Sequence, residues 1–222
     1  MKMSTMQKIL KAAACVNHGG KMKNVISIST SPLVNVVCNA RAKNPASICA
    51  HCFSRRMMKV YPALAAKLER NYNLLTTVEL DDADIPKFAP RSGFLRFEAF
   101  GDLATPLQVK NYFTIARVNG HLNCALWTKN PQIIKKAIEI YGIEKPENLN
   151  IIFSVAGLNS TAAPMIYEAL QENGYEFIDK VFTVYDDANA GGVNINCGAR
   201  DCATCGRCYL KNDTVFINEK LK

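Results

Sequence analysis

The sequence lacks any apolar stretch long enough to cross a membrane as a helix. A membrane-spanning helix needs about 18 or more apolar residues in a row, and no segment of the 222 residues approaches that length. The longest apolar run near the start, residues 9–16, is interrupted by Lys11 and is too short for a signal peptide. We therefore expect no membrane partner and a location in the reducing cytoplasm.

Internal repeats, low-complexity tracts and strong compositional bias are also missing. Hydrophobic residues make up 49% and charged residues 21% of the chain, which is ordinary for a globular protein and excludes the disordered and fibrous classes. A chain of this length suits one domain with a full hydrophobic core, or one domain with a small appendage.

What the sequence does contain is a large number of cysteines. In a reducing compartment, clustered cysteines are more often metal ligands or catalytic groups than disulfide partners. Seven of the nine cysteines fall into two clusters. The other two, Cys15 and Cys124, stand alone, and we expect them to pack as small apolar residues.

Strand-like runs alternate with amphipathic helices along most of the chain. Proline stands at the first position of the helices that begin at Pro106 and Pro131, and glycine follows their ends. This alternation predicts an α/β protein, either a partial (β/α)6-type barrel or an open parallel sheet with helices. The predicted strands are 25–30, 94–100, 123–129, 149–156, 181–185 and 214–218.

The chain divides into two predicted parts. Residues 1–190 form the α/β core domain, which carries an N-terminal cysteine loop at 38–52, and residues 191–222 form a Cys-rich metal-binding C-terminal segment packed on the core. The working face of such a fold lies at the carboxyl ends of its parallel strands. Polar residues collect there, and among them Lys129 and Asp186 are the candidates to face a substrate.

The C-terminal cluster has the compact spacing C-x4-C-x2-C-x2-C. Zinc sites usually present two C-x2-C turns separated by a longer loop, because two tight turns must meet around a tetrahedron. Four thiols in one short run favour a [4Fe–4S] cluster, and the C-x4-C-x2-C part matches a ferredoxin-type spacing. Zinc stays open as the alternative metal. The predicted ligands are Cys197, Cys202, Cys205 and Cys208.

The N-terminal cluster consists of Cys38, Cys49 and Cys52. Three protein ligands leave one metal position open, and open positions are where metal chemistry takes place. His51 lies inside the C-x2-C turn and is a further candidate ligand, although a residue in that place normally points away from the metal. Two alternatives stay open: some of these cysteines share one site with the C-terminal four, or Cys38 is merely buried.

Basic residues surround the N-terminal cysteine loop. Glu69 is the only acidic residue between Arg41 and Arg70, and the whole chain has a formal charge of +8. Such a run is typical of a solvated face. It is also suited to balancing an anionic cluster or to receiving a carboxylate, a phosphate or a nucleic-acid backbone. The charge therefore permits nucleic acid as a partner.

Several motifs resemble known protein families. The cysteine loop that ends in Cys-x-x-Cys-Phe, after the first predicted strand, resembles the cluster-binding loop of radical S-adenosylmethionine enzymes. Residues 26–31 (ISISTS), 96–102 (RFEAFGD) and 127–131 (WTKNP), together with the closing cysteine run, resemble the phage "gene product 88" family of cysteine-rich proteins.

The first resemblance implies a specific chemistry. Radical S-adenosylmethionine enzymes use a partial (β/α)6 barrel, in which three cysteines hold a [4Fe–4S] cluster and S-adenosylmethionine binds the fourth iron. By this resemblance the N-terminal cysteines would hold that cluster, and Lys129 or Asp186 would face the substrate. The residues that would hold the cofactor are Glu98, Gly101 and Asp102.

Three functions are compatible with these observations. The leading hypothesis is a radical S-adenosylmethionine-like enzyme with one or two [4Fe–4S] clusters and an unknown small-molecule or macromolecular substrate. The second is a non-catalytic phage protein, stabilised by an iron–sulfur cluster or zinc, that binds nucleic acid or a host protein. The third is a simple electron carrier.

Overall fold

The structure is a computed structural model that describes residues 3–17, 19–198 and 200–221. None of the described helices combines the length and the apolar character that a membrane span requires. The helices are α1 (Thr5–Ala13), α2 (Val36–Ala42), α3 (Phe53–Val60), α4 (Pro62–Thr77), α5 (Pro106–Val118), α6 (Pro131–Tyr141), α7 (Ala163–Glu172) and α8 (Cys202–Cys205). The strands are β1 (Cys15–Val16), β2 (Ile26–Ile28), β3 (Phe94–Phe97), β4 (Asn123–Thr128), β5 (Leu149–Ser154), β6 (Lys180–Tyr185) and β7 (Phe216–Lys220).

The seven strands form one sheet in which each strand lies beside its successor in sequence. The β1–β2 pair is antiparallel, and every later pair is parallel. Parallel neighbours need crossover connections. Helices α5 and α6, which connect β3 to β4 and β4 to β5, pack on the same face of the sheet. The predicted α/β class with a mostly parallel sheet is confirmed. The choice between a partial barrel and an open sheet stays a prediction.

One face of the sheet packs against the helices. Successive side chains of a strand point to opposite faces, and Leu95 and Phe97 of β3 enter the main hydrophobic core with Tyr112 of α5 and Ile134 of α6. The parallel strands are short and apolar on this face, as expected for a sheet that helices cover. The helix-covered face therefore provides most of the core.

The other face of the sheet packs against the C-terminal segment. Phe94 of β3 and Trp127 of β4 form a second apolar cluster with Tyr209, against which Cys197, Cys202 and Cys208 pack. The ring of Tyr209 stacks on that of Phe94 with 4.5 Å between the centroids. Strand β7 belongs to the predicted C-terminal segment and pairs with β6. The division of the chain at residue 190 stays a prediction.

Candidate functional site

A cavity of about 390 Å³ lies at the carboxyl ends of the parallel strands. Its wall includes Glu98 after β3, Thr128 at the end of β4 and Ser154 at the end of β5. Both cysteine clusters reach this cavity, so cysteines that are far apart in sequence line the same space. The cysteines that line it are Cys38, Cys49, Cys52, Cys197, Cys202 and Cys208.

Cys38 lies in the first turn of α2, and two side chains fix that helix to the sheet. Asn35 accepts hydrogen bonds from the amides of Val37 and Cys38, and its own side-chain amide donates to the carbonyl of Asp102 at 2.9 Å. Arg41, on the next turn, donates to the carboxylate of Asp102 at 3.3 Å. Because Asp102 follows β3, these bonds place the Cys38 thiol where the strands end.

Asp102 is occupied by partners inside the protein. Its carboxylate accepts hydrogen bonds from the Thr128 hydroxyl at 2.7 Å, the Lys129 amide at 3.1 Å and the Leu103 amide at 2.8 Å, in addition to Arg41. The side chain thereby joins the ends of β3 and β4 to α2. Cofactor binding by Asp102 stays a prediction, and its observed contacts make it a positioning residue for the cysteine-bearing helix.

Cys49 and Cys52 belong to the short turn between α2 and α3. A 3-10 helix, Ile48–His51, contains Cys49, and Cys52 directly precedes α3. The amide of Ile48 donates to the carbonyl of Ala156 at 2.9 Å, beyond the end of β5. The cysteine loop is therefore anchored to the same end of the sheet as α2.

The surroundings of Cys38 disfavour a free thiolate. Burial raises the pKa of the thiol, and the negative charges of Asp102, Glu98 and Cys49 raise it further, while Lys129 opposes them. A thiolate is nevertheless the form that ligates metals. Metal binding at Cys38 therefore has to release a proton, which makes binding tighter as the pH rises.

Glu98 is a buried carboxylate on an unusual backbone. Its φ of 53° lies in the left-handed region, which residues with a side chain rarely adopt. The carboxylate accepts hydrogen bonds from the amide and hydroxyl of Thr30, from the side chain of Gln108 at 2.6 Å and from the hydroxyl of Tyr112. Burial raises its pKa to about 8, although these hydrogen bonds favour the charged form.

Gly101 packs directly against this carboxylate. Its φ is +80°, and a Cβ atom there would lie 2.5 Å from the carbonyl oxygen of Thr30 and 2.7 Å from Oε2 of Glu98. Only glycine fits at such distances. Glu98, Gly101 and Asp102 thus form one wall of the cavity, and cofactor binding by this wall stays a prediction.

The two predicted catalytic residues lie in different settings. Lys129 lines the cavity close to Cys38, and within the described part of the chain its ammonium group has no hydrogen bond or ion pair. Asp186 lies in a turn after β6, where the side-chain amides of Asn159 and Asn189 each donate to it at 2.8 Å and lower its pKa. Only Lys129 of the two lines the cavity, and a catalytic role for either stays a prediction.

The C-terminal cysteines are arranged around α8, which is a single helical turn. The carboxylate of Asp201 accepts a hydrogen bond from the Thr204 amide at 2.7 Å and caps the start of the turn. Gly206 ends it with a left-handed φ of 62°. This reversal lies between Cys205 and Cys208, and Cys208 lines the cavity together with Cys202. Cys205 does not line the cavity.

Lys21 connects the β1–β2 segment to the C-terminal cysteines. Its ammonium group donates to Sγ of Cys197 at 3.1 Å and to the Cys197 carbonyl at 2.9 Å, and it pairs with Glu219 of β7 at 2.7 Å. Burial lowers the pKa of Lys21, but its hydrogen bonds and the charges of Glu219 and Cys197 outweigh burial and raise it. Cys197 therefore has a charged ammonium group beside it.

Arg96 is a half-buried cation that takes part in no ion pair among the described residues. Its guanidinium lies 3.8 Å from the ring centre of Trp127, and its buried Nε atom lacks a hydrogen-bond partner within the same part of the chain. Burial raises the pKa of Cys202 and that of Cys208, the latter to about 12, and the charge of Arg96 opposes both increases. Buried donors normally have an acceptor, so Arg96 is suited to an anionic group at this position.

The described side chains do not form a ready-made site for a single metal ion. In residues 3–17, 19–198 and 200–221, no group of three or more His, Cys, Asp or Glu residues could hold one ion. All nine cysteines are free thiols. His51 is exposed at the edge of the cavity, and its role as a ligand stays a prediction.

Lys21 and Arg96 were not among the site residues predicted from the sequence. Arg96 had a usable signal, because it is a charged residue between the apolar residues Leu95 and Phe97 of a predicted strand. A charged side chain inside an apolar strand predicts a specific partner on the face of the sheet to which that side chain belongs. Lys21 had no local signal, since its partners Cys197 and Glu219 are 176 and 198 residues away in the sequence.

Fold and cavity together define a mostly parallel α/β protein with a cysteine-lined cavity at the carboxyl ends of its strands. The sequence model of one family, gene product 88 (GP88), matches residues 3–218. The chain belongs to the gene product 88 family, which confirms the phage family indicated by its motifs. No curated protein and no solved structure matched it. The resemblance to radical S-adenosylmethionine enzymes stays a prediction.

Proposed function

We propose that this protein is an iron–sulfur enzyme of the radical S-adenosylmethionine type, with two [4Fe–4S] clusters that face one cavity. The observation that carries this proposal is that six thiols from two distant sequence clusters line that cavity. Its position at the carboxyl ends of parallel strands is the usual place for an active site in such folds. A sheet curved into a partial barrel around the cavity is part of the proposal.

The C-terminal cysteines fit a cluster that they ligate completely. Four thiolates bring negative charge, and Lys21 and Arg96 provide positive charge beside Cys197 and Cys202. A single zinc ion needs four ligands that converge on one point, whereas each cysteine of a cubane ligates a different iron. The compact C-x4-C-x2-C-x2-C spacing of these four cysteines favours the cubane over zinc.

The N-terminal cysteines, Cys38, Cys49 and Cys52, fit a cluster with one iron left for a cofactor. When bound, that cluster would supply the electron that cleaves S-adenosylmethionine. The unpaired ammonium group of Lys129 would bind a carboxylate of the cofactor or the substrate in this cavity. Asp186 lies in the turn after β6, so its catalytic role requires a substrate that extends beyond the cavity.

The wall formed by Glu98, Gly101 and Asp102 would give the proposed cofactor site a fixed shape. Both carboxylates are held by donors within the protein, so they keep one orientation as substrates enter and leave. Burial raises the pKa of Glu98 to about 8, while the hydrogen bonds that it accepts oppose this rise. The proposed cofactor site therefore has polar groups that are held in fixed positions.

The decisive experiment uses protein purified without oxygen. We expect iron and sulfide but little zinc in each chain, and we expect 5′-deoxyadenosine and methionine after addition of S-adenosylmethionine and dithionite as the electron donor. Cys38→Ala should abolish this cleavage, and Cys15→Ala should not, because Cys15 does not line the cavity. A fully loaded protein that fails to cleave the cofactor would contradict the proposed enzyme.

A second function is supported by the positive charge around the cysteine loop. In this case the metal, iron–sulfur or zinc, only stabilises a phage protein that binds nucleic acid or a host protein. A preparation that contains zinc alone, folds stably and leaves S-adenosylmethionine intact would favour this function over the first.

A further inference from the structure

A second cleft, of about 530 Å³, lies on the outer side of the N-terminal cysteine loop. Four basic residues line it, and no acidic residue is among its described lining. They come from the end of α2 and from α3, whose side chains at i and i+3 share one helix face. The basic residues are Lys43, Arg55, Arg56 and Lys59.

One of the four cations is used to hold the structure together. Arg55 donates to the carbonyl of Pro32 at 3.2 Å and to the side chain of Asn39 at 2.6 Å, which fixes α3 against α2. The other three, Lys43, Arg56 and Lys59, are exposed and form no ion pair with the described carboxylates. Three cations on a rigid support are therefore free to bind a ligand.

Exposed aromatic residues stand at the two ends of α3, the helix that carries Arg56 and Lys59. Phe53, at the start of α3, is 57% exposed, and Tyr61, directly after α3, is 53% exposed. Phe53 lies 6.4 Å from the ring of Phe100 in a stacked arrangement, which limits its orientation. Aromatic rings next to an unpaired basic surface are typical of proteins that bind single-stranded nucleic acid, because phosphates pair with the cations and bases stack on the rings.

We propose that this surface binds single-stranded nucleic acid. We call it the basic–aromatic face, and its residues are Lys43, Phe53, Arg56, Lys59 and Tyr61. A duplex hides the faces of its bases within the helix, so only a single strand can use both the cations and the rings. Phe53 and Arg56 also line the cysteine cavity, so a base stacked on Phe53 would lie at its mouth. The proposal concerns binding and does not depend on the proposed enzymatic reaction.

Fluorescence anisotropy with labelled oligonucleotides tests the role of the cations. The double variant Arg56→Gln/Lys59→Gln should bind single-stranded DNA or RNA at least about tenfold more weakly. Its plot of log affinity against log salt should become shallower by about 1.4, because each lost phosphate contact contributes about 0.7. The matched control is Lys8→Gln/Lys11→Gln, which removes two exposed lysines at the same i, i+3 spacing from α1.

Phe53 tests the role of stacking. Phe53→Ala should weaken single-strand binding about tenfold, and Phe53→Trp should retain it, since base–aromatic stacking contributes about 1–3 kcal/mol per base. Thermal melting of each variant shows whether it is folded. Two results would overturn the proposal: no binding of any single strand at low salt, or binding of duplex and heparin as tight as that of single strands with no effect of Phe53→Ala. Separate DNA and RNA arms establish which strand is preferred.

Discussion

The two cysteine clusters of this protein differ in how they are held and in the charges around them. The C-terminal four are grouped around one short turn that stacks on the sheet through Tyr209, with Lys21 and Arg96 beside them. The N-terminal three come from α2 and the turn that follows it. Cys38 lies near the buried acids Glu98 and Asp102, whereas Cys49 and Cys52 line a cleft that also contains four basic residues. A complete set beside cations suits a cluster that stays in place. An incomplete set at an open cavity suits the reactive cluster proposed above.

The largest expected effect comes from removing one cysteine of each cluster. Cys208→Ala and Cys38→Ala should each lose about half of the iron, because each removes a ligand from one of the two [4Fe–4S] clusters that we propose. Cys208→Ala should also lower the melting temperature more, since Cys208 packs against the apolar cluster on the sheet. Iron analysis and thermal melting measure both effects. Loss of all iron from Cys38→Ala would show that the two cysteine clusters share a single metal centre.

The next effect concerns the acidic side of the comparison. Burial raises the pKa of Glu98 to about 8 in the folded protein, from an ordinary value of 4.5. The protonated form of Glu98 therefore stabilises the folded protein relative to the unfolded chain. This contribution to the free energy of unfolding is complete below about pH 4.5 and is lost as the pH rises through about 8. As the pH rises from 5 to 9, the free energy of unfolding of the wild type should fall by on the order of a few kcal/mol relative to that of Glu98→Gln. Denaturant unfolding at several pH values tests this, and parallel curves for the two proteins would contradict it.

A smaller effect concerns the cationic side. Arg96→Met should make the C-terminal cluster harder to reduce, because a cation beside an anionic cluster stabilises the added electron. We expect a shift on the order of 1 kcal/mol, or about 40 mV toward lower potential, in a redox titration followed by electron paramagnetic resonance. Arg96→Lys should restore most of the potential. The control Arg117→Met removes an arginine that pairs with Asp82 on the surface, and an equal shift there would argue against a local effect.

The smallest effect is expected from removing the hydroxyl group of Tyr209, which follows the C-terminal turn. The buried hydroxyl of Tyr209 lies beside the guanidinium of Arg96 but forms no hydrogen bond of ordinary geometry with the described residues, whereas its ring stacks on Phe94. Tyr209→Phe should therefore change the free energy of unfolding by less than about 1 kcal/mol, and Tyr209→Ala should cost about 3–5 kcal/mol through the lost ring. A large loss of iron in Tyr209→Phe would instead show that the hydroxyl contacts the cluster.

The regular part of the fold could be predicted from the sequence because its signals are local. Strands β3, β4 and β5 fall within the predicted segments, and Pro106 and Pro131 begin α5 and α6 as expected. Helices α2 and α3 were missed. Helix α2 has no buried residue, and therefore no apolar stripe. It is held instead by the bonds of Asn35 and Arg41 to Asp102.

The arrangement of the site could be predicted only in part. Short cysteine spacings identified the two clusters, because ligands close in sequence are recognisable without a fold. That the two clusters line one cavity depends on how seven strands are ordered, which no short motif contains. The partners of Arg96 and Lys21 are likewise set by the docking of the C-terminal segment on the sheet.

The bonds of Lys21 to Cys197 and Glu219 have a consequence for how the protein is made. Residues near position 21 leave the ribosome long before residues 197–219, and synthesis adds only about 5–20 residues per second. The first strands can pair while Lys21 still has no partner. The C-terminal centre cannot close until the later segment has been made and has docked on the sheet. Loading of the cluster that we propose for these cysteines is therefore expected to be among the last steps in the maturation of the protein.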